Sequence, residues 1–169
     1  MLKVPICTFD AKTGILCPKC KSKLEKGQIS QDDVNLSIKL VSLIDSIPEL
    51  DKISLHHALK FNSNYILIVG AGESRLLKNY DTLQKLEREL KGKVWIIEGH
   101  SNNRKFLEDL FYPIRILSIN TVFLPDGSEL TKVIIMGRKN EKLLSVIEQI
   151  KQIAKMVKGM DLLVEFERT

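Results

Sequence analysis

The sequence predicts a mixed α+β protein made of one duplicated unit, with a short metal-binding segment in front of it. Matching residues of the two copies differ in number by 67 (137 minus 70), so that Gly70 recurs as Gly137 and Gly92 as Gly159. Apolar and acidic positions keep the same spacing, in the pairs Leu76 and Leu143, Leu77 and Leu144, Leu83 and Ile150, Leu86 and Ile153, Leu90 and Val157, and Glu98 and Glu165. Self-similarity at a fixed period indicates two copies of one supersecondary unit.

The first element along the chain is a cysteine-rich segment that predicts a zinc site. Cys17 and Cys20 form a C-x-x-C pair, and Cys7 and Asp10 form a C-x-x-D pair, with six residues between Asp10 and Cys17. Two knuckles of this spacing, with Gly14 reversing the chain between them, can place four ligands around one tetrahedral ion, and Asp is an accepted zinc ligand. We expect one Zn²⁺ here, because a segment with few large apolar side chains needs the free energy of metal binding to fold.

Three alternatives to this site stay open. His56 or His57 could reach back from the body of the protein and replace Asp10 as the fourth ligand. A C-x-x-C pair also serves redox chemistry, although that would need a thioredoxin-like strand and helix around it. A catalytic zinc with three cysteines and an open position is the third, and it lacks the neighbouring Glu that a deaminase uses.

Positive charge is concentrated in the same segment. Residues 1–27 contain six lysines and two acids, a balance of 6 − 2 = +4 within a net charge of +5 for the whole chain. The lysines are Lys3, Lys12, Lys19, Lys21, Lys23 and Lys26. Such a segment is either a patch that faces phosphates or a solvated lysine-rich head. The basic balance of the chain favours an acidic partner, most often nucleic acid.

Composition sets the class of protein. Apolar residues make up 44% of the 169 residues, which suffices for a globular core. No apolar run approaches the roughly 18 residues that a membrane span requires. The N-terminus lacks the apolar stretch of a signal peptide. We therefore expect a cytoplasmic protein with reduced thiols and no membrane partner.

The first copy is predicted to begin with a helix. Ser30 and the acids after it form an N-terminal cap, the apolar stripe starts at Val34, and Pro48 is expected to close the helix. The following elements are two strands at 53–61 and 65–70 around a turn at 62–64, a helical turn at 74–78, a helix at 82–91 capped by Gly92, and a strand at 94–97.

The second copy is predicted to follow the same order. Its elements are a helix at 102–111, strands at 114–124 and 130–136, a helical turn at 140–144, a longer helix to residue 158 capped by Gly159, and a strand at 162–166. Each copy thus has the order α-β-β-α-α-β. The predicted domains are a zinc knuckle at 1–28, one unit at 30–98 and a second unit at 100–169.

This order of elements resembles the type II KH fold, and residues 30–169 resemble the paired KH domains of NusA. The nearest resemblance is to the small archaeal NusA-like KH proteins, through the helix-then-proline junction at 106–113, the hairpin at 120–127, the two glycine caps and the basic zinc knuckle. The resemblance implies two fused KH type II units, non-catalytic RNA binding, and a role in transcription elongation or termination.

One feature departs from the family. A KH domain grips nucleic acid through a G-x-x-G loop between two consecutive helices. Those positions fall at 78–81 and 145–148, and neither contains glycine. We therefore expect RNA, ribosomal or nascent, to be contacted through the knuckle lysines and the face around the first loop; the candidate residues are Lys12, Lys19, Lys21, Lys23, Lys26, Arg75, Lys78 and Asn79. A ribosome-associated accessory protein and a module that binds a protein such as RNA polymerase remain alternatives.

No enzyme site is predicted. The segment 69–74 contains only G-x-G after a strand, without the third glycine of a dinucleotide-binding turn and without the G-K-[ST] of a phosphate loop. His100 has no evident nucleophile beside it in the sequence. We expect no catalytic activity and no small-molecule substrate.

Overall fold

The structure, a computed structural model, describes residues 1–167. The chain divides into two compact units, Met1–Ser101 and Asn102–Thr169. Each unit contains a three-stranded sheet with helices, so the predicted mixed α+β class is confirmed. Among the described residues, every helix falls short of the length and apolar character needed to cross a bilayer.

The first unit begins with two short helices that the sequence analysis did not predict. Helix α1 spans Thr8–Thr13 and helix α2 spans Pro18–Glu25. Gly14 closes α1 in the left-handed conformation (φ 78°), where glycine has no steric penalty. Pro18 starts α2, where its fixed φ suits the first helical turn. The lysine-rich stretch after Cys17 is therefore a helix.

Helix α3 spans Gln31–Ser42 and has the cap that the sequence predicts. The hydroxyl of Ser30 accepts a hydrogen bond from the Asp33 backbone N–H (3.0 Å), and the Asp33 carboxylate accepts one from the Ser30 N–H (2.9 Å). The helix ends at Ser42 rather than at Pro48, which instead starts a 3₁₀ helix at Pro48–Lys52. The intervening turns keep Leu43 and Ile47 buried.

The sheet of the first unit consists of β1 (Leu55–Phe61), β2 (Asn64–Val69) and β3 (Val94–Glu98). Strand β1 pairs antiparallel with β2, and β2 pairs parallel with β3. Two helices, α4 (Ser74–Leu77) and α5 (Tyr80–Leu90), connect β2 to β3. The core between the sheet and the helices contains the buried side chains of Leu40, Leu50, Leu67, Leu77 and Leu86.

The sheet of the second unit has the same strand order, with one helix fewer between its last two strands. Its elements are α6 (Asn103–Phe111), β4 (Ile116–Phe123), β5 (Glu129–Ile135), α7 (Glu141–Lys158) and β6 (Leu162–Phe166). Strand β4 is antiparallel to β5, and β5 is parallel to β6. The helical turn and the longer helix predicted here form the single helix α7, because its sequence has neither Gly nor Pro to break it.

The two capping glycines have different roles. Gly159 ends α7 in the left-handed conformation (φ 65°), as predicted. After α5 the left-handed residue is Lys91 (φ 60°), so the prediction that Gly92 is the cap is wrong by one position. Glycine is needed at position 92 because a Cβ there would collide with the backbone carbonyl of Ser63 in the β1–β2 turn.

Candidate metal centre

Four potential ligands converge in the N-terminal segment. Cys7 precedes α1 and Asp10 lies within it, while Cys17 precedes α2 and Cys20 lies within it. Three sulfur atoms and one carboxylate oxygen, one ligand atom from each residue, lie within 4.8 Å of one another. The two short helices thus bring together the four residues that their spacing predicts.

Hydrogen bonds hold this cluster in place. The Cys17 backbone N–H donates to Oδ2 of Asp10 (2.9 Å), and the Cys7 backbone N–H donates to Sγ of Cys20 (3.4 Å). The C-x-x-C pair and the C-x-x-D pair therefore each donate one backbone N–H to a ligand atom of the other pair. Asp10 is 1% exposed, so its carboxylate is removed from bulk water. A buried carboxylate needs such partners to remain charged.

The cluster lies over a small core that contains few large side chains. Its buried members include Ile6, Ala11 and Ile29, and it extends to Val34 on α3. This core joins the knuckle, defined here as residues 1–27, to the first turns of α3. Because this core is small, metal binding at the ligand cluster would supply additional folding free energy to the segment.

The electrostatics of the cluster differ between its oxygen and its sulfurs. The backbone N–H of Cys17, together with hydrogen bonds from Cys20 and Cys17 thiols, holds the pKa of Asp10 well below its usual range. Burial raises the pKa of the Cys20 thiol to about 12. Without a metal, the site therefore combines a carboxylate anion with a protonated buried thiol, and a metal ion has to displace the thiol proton.

The donor set fits a tetrahedral metal ion. Bonds of about 2.3 Å from a metal to sulfur correspond to distances of about 3.8 Å between ligand atoms, so the cluster needs only a small contraction. The four residues could therefore bind a metal ion.

The histidines considered as ligands lie elsewhere in the first unit. Nδ1 of His57 is 3.3 Å from Oδ2 of Asp33, and the ring centroid of His56 is 6.5 Å from that of His100. Neither His56 nor His57 belongs to the cluster, whose oxygen ligand is Asp10.

The lysines around the cluster carry uncompensated charge. Lys12, Lys19, Lys21 and Lys26 are exposed, and Lys23 is half-buried. Within residues 1–167 none of these five forms an ion pair. Asp10 is buried in the cluster and Glu25 is the one exposed acid of residues 1–27, so the surface of the knuckle is cationic.

The first candidate KH loop is a short break between α4 and α5. Oδ1 of Asn79 accepts a hydrogen bond from the Thr82 backbone N–H (2.9 Å), so this side chain caps α5. Nε of Arg75 donates to the backbone carbonyl of Gly72 (3.2 Å). Lys78 is half-buried at the end of α4. The three predicted RNA-binding residues thus lie together, and each already has a partner within the structure.

The second candidate loop does not exist as a loop. Residues 145–148 lie in the middle of α7, where each backbone group takes part in the helix. The four residues cannot bring free backbone N–H groups to a phosphate.

The G-x-G segment after β2 has its amides occupied by carboxylates. Oε1 of Glu73 accepts from the backbone N–H groups of Gly70 and Ser54 (both 2.8 Å). Oε1 of Glu98 accepts from the Gly72 N–H (3.0 Å). The donors that a phosphate would need are therefore engaged by two anions. Sequence reasoning missed this role of Glu73, because its partner Ser54 is distant in sequence.

Comparison with known proteins does not identify the chain. No family model matches it, and no curated protein matches it. Among solved structures, 66 chains match. One of them, titled "Crystal structure of APE1850", has 17% sequence identity, covers 77% of this chain and 96% of its own, and has a TM-score of 0.48. A likeness at this level adds nothing to the assignment of fold or function.

Proposed function

We propose that this chain is a non-catalytic RNA-binding protein. It binds structured RNA through its cationic knuckle, which a bound metal ion stabilises. The observation that supports this most is the set of five lysines, none with an ion-pair partner among the described residues, around a cluster of four potential metal ligands. Contacts from lysine to phosphate give affinity without base specificity. The resemblance to NusA-like proteins suggests nascent or ribosomal RNA, in transcription elongation or termination.

The metal we propose is Zn²⁺. Three sulfurs and one carboxylate oxygen in a closed set of four are typical of a structural zinc site rather than of magnesium or calcium. Three thiolates (−3) and one Zn²⁺ (+2) change the charge of residues 1–27 from +4 to +3, by the arithmetic 4 − 3 + 2. The ion therefore contributes folding free energy, while the lysines supply the attraction to RNA.

For the two units we propose a tandem KH type II arrangement with altered loops. The same strand order and directions in both sheets, and the α4–α5 pair in the first unit, support it. In the first unit, Lys78 and Asn79 form a corner between α4 and α5, at the position where a KH loop would lie. The second unit has the continuous helix α7 at the matching position. We propose that the loops contribute little and that the knuckle provides the main RNA contact.

One observation favours a second candidate function. Because α7 replaces the helix corner, the second unit has no loop of KH type to hold nucleic acid. In this alternative the second unit is a protein-binding module, with RNA polymerase or a ribosomal protein as the kind of partner, and RNA binding is confined to the knuckle.

The test is RNA binding as a function of salt with the zinc-loaded full chain and a folded RNA. We expect the affinity to fall linearly on a log–log plot with a slope of about −0.7 to −0.9 per phosphate contact. Replacement of Lys19, Lys21 and Lys23 by Glu should weaken binding at least tenfold. The matched control replaces Lys85, Arg88 and Lys142, three exposed cations outside the knuckle, by Glu. Equal losses in both variants, or no binding at low salt, would reject RNA docking by the knuckle.

A further inference from the structure

The knuckle leaves two large apolar side chains almost fully in solvent. Phe9 is 73% exposed and Ile15 is 72% exposed. Both lie between ligand residues of the cluster, Phe9 next to Asp10 and Ile15 two residues before Cys17. A segment with so small a core would gain stability by burying them, yet the fold holds them outside.

The helix α1 directs Phe9 outward because its opposite side is buried. Asp10 and Ala11 face inward, toward the cluster and its core. Phe9, Lys12 and Thr13 are exposed. They are spaced i, i+3 and i+4, and residues with this spacing are neighbours on one helix face.

Ile15 is tied to the same face through Thr13. The Thr13 hydroxyl oxygen accepts a hydrogen bond from the Ile15 backbone N–H (3.3 Å), directly after the left-handed Gly14. Phe9 therefore adjoins Thr13 along the helix, and Ile15 adjoins it across the turn. We call Phe9, Thr13 and Ile15 the apolar tip of the knuckle.

The exposed side-chain charges of residues 1–24 around the apolar tip are all positive, although Asp45 and Asp51 line a surface groove together with Lys12. From residue 1 to residue 24 the only acid is Asp10, which is buried. Lys12 lies on the same face of α1 as Phe9, and Lys19 lies in the first turn of α2. Both lysines are exposed. An aromatic ring flanked by unpaired cations suits a ligand that combines a flat, weakly polar group with negative charge.

We propose that the apolar tip receives an unpaired base of RNA. The ring of Phe9 stacks on the base, Ile15 packs beside it, and Lys12 and Lys19 contact the flanking phosphates. The inference rests on the proposed RNA docking and adds to it a preference for single-stranded or bulged RNA. Base stacking on an aromatic ring is tolerant of sequence, so it adds affinity without a strict sequence requirement.

Other partners fit the apolar tip less well. A duplex keeps its bases stacked on one another and presents none to a protein ring. A membrane surface would also attract the lysines, but two apolar side chains offer far less insertion area than an amphipathic helix does. Protein hot spots are enriched in Trp, Tyr and Arg, none of which occurs in residues 1–27.

The experiment uses fluorescence anisotropy with the zinc-loaded full chain to compare its binding to a fluorescein-labelled ten-nucleotide oligouridine with its binding to a blunt RNA duplex that carries the same label. We expect Phe9→Ala to lower the affinity for the oligouridine about tenfold and the affinity for the duplex less than twofold. Phe9→Trp should restore oligouridine binding and show quenched tryptophan emission in the complex. The matched control is Phe123→Ala, which removes a ring that is 71% exposed in the second unit and should leave both affinities unchanged.

The outcomes separate this inference from the proposed function. If Phe9→Ala binds oligouridine as well as wild type while the Lys19, Lys21 and Lys23 variant loses binding, the base-stacking site is rejected and RNA docking stands. If wild type binds neither RNA, both are rejected. Binding to vesicles of phosphatidylserine and phosphatidylcholine that is lost in Phe9→Ala, with RNA affinity unchanged, would assign the tip to a lipid surface instead. Equal zinc content of the variants excludes misfolding as the cause.

Discussion

Each unit has its own three-stranded sheet, and the two sheets have the same strand order and directions. The units differ in the helices that connect the last two strands. In both, the first pair of strands is antiparallel and the second is parallel. Two helices connect β2 to β3 in the first unit, whereas α7 alone connects β5 to β6 in the second. The repeat therefore specifies the sheet order twice but specifies a helix corner only once.

The matched residues Leu77 and Leu144 show how the corner between α4 and α5 affects burial. Leu77, at the end of α4, is fully buried, whereas its repeat partner Leu144, in the first turn of α7, is 43% exposed. Farther along, Leu86 and Ile153 are matched and both fully buried. The corner turns one extra leucine into the core, and a straight helix cannot do so.

Removal of the metal should produce the largest difference in stability between the two units, because only the first unit contains the knuckle. The binding free energy of a structural zinc ion is also folding free energy, with apparent values of about 10–16 kcal/mol in zinc-finger peptides. We expect a chelator, or Cys17→Ser, to abolish amide protection in α1 and α2. The measurement is hydrogen exchange followed by mass spectrometry, in which β4, β5 and β6 serve as the internal control. Unchanged protection of α1 and α2 in the metal-free protein would show that the small apolar core suffices.

The leucine pair gives the second test. Leu77→Ala should lower the free energy of unfolding of the first unit by about 2–5 kcal/mol, the usual cost of truncating a buried leucine. Leu144→Ala should change that of the second unit by no more than about 0.5 kcal/mol, as for an exposed position. In urea unfolding, the emission of Trp95, the single tryptophan of the chain, follows the first unit, and far-ultraviolet circular dichroism follows both units. Equal effects of the two substitutions would contradict the placement of the corner.

A third test uses pH, which should act on metal binding in the first unit. The Asp10 backbone N–H lowers the pKa of the Cys7 thiol, but the Asp10 carboxylate and burial together raise it above its ordinary value. Burial raises that of Cys20 to about 12. Both thiols are thus protonated near neutral pH without metal. Zinc has to displace at least these two protons, so its affinity should fall by at least about 100-fold for each unit by which pH decreases. Competition with a chromophoric chelator between about pH 8 and pH 6 measures the slope.

A control for the pH dependence is available within the cluster. Cys20→Asp replaces a thiol by a group that is already ionised at neutral pH. The fall in zinc affinity for each pH unit should therefore be about tenfold smaller than in wild type. A slope that is the same in this variant and in wild type would contradict the assignment of a released proton to Cys20.

The strands and the long helices could be predicted from the sequence, because their signals are local. The turn between β1 and β2 has Asn62 and Ser63 at positive φ (45° and 67°), which Asn-containing two-residue turns favour. The apolar runs on either side fix which residues face inward. The continuous α7 was missed because the prediction imposed the first copy's break on the second, although no residue there stops a helix.

The four residues of the ligand cluster could be predicted from the sequence, but the helices that hold them could not. Spacing alone identified Cys7, Asp10, Cys17 and Cys20. It could not decide between Asp10 and the histidines, since that depends on where β1 lies in space. The helices α1 and α2 were not predicted because, at six and eight residues, they are too short to show an apolar periodicity. For the same reason the outward position of Phe9 follows only once Asp10 and Ala11 are seen to face inward.

The smallest expected effect concerns the asparagine caps of the two units. Oδ1 of Asn79 accepts from the Thr82 N–H (2.9 Å), and Oδ1 of Asn140 accepts from the Leu143 N–H (2.8 Å). Replacement of a capping Asn by Ala typically costs about 1 kcal/mol, and replacement by Ser, which still caps, costs far less. We expect Asn79→Ala and Asn140→Ala each to lower the free energy of unfolding of its own unit by about that amount, with the two Ser variants as controls.

The two caps should nevertheless differ in a second readout. Asn140 begins an isolated helix, so Asn140→Ala should only fray its first turn. Asn79 separates α4 from α5, and alanine there removes the hydrogen bond to the Thr82 N–H and loosens the corner. Exchange of the Leu77 amide should therefore accelerate in Asn79→Ala, while that of the Leu144 amide should stay close to wild type in the same variant. If the Leu77 amide is unaffected, the corner is held by packing of Leu77 into the core rather than by the Asn79 cap.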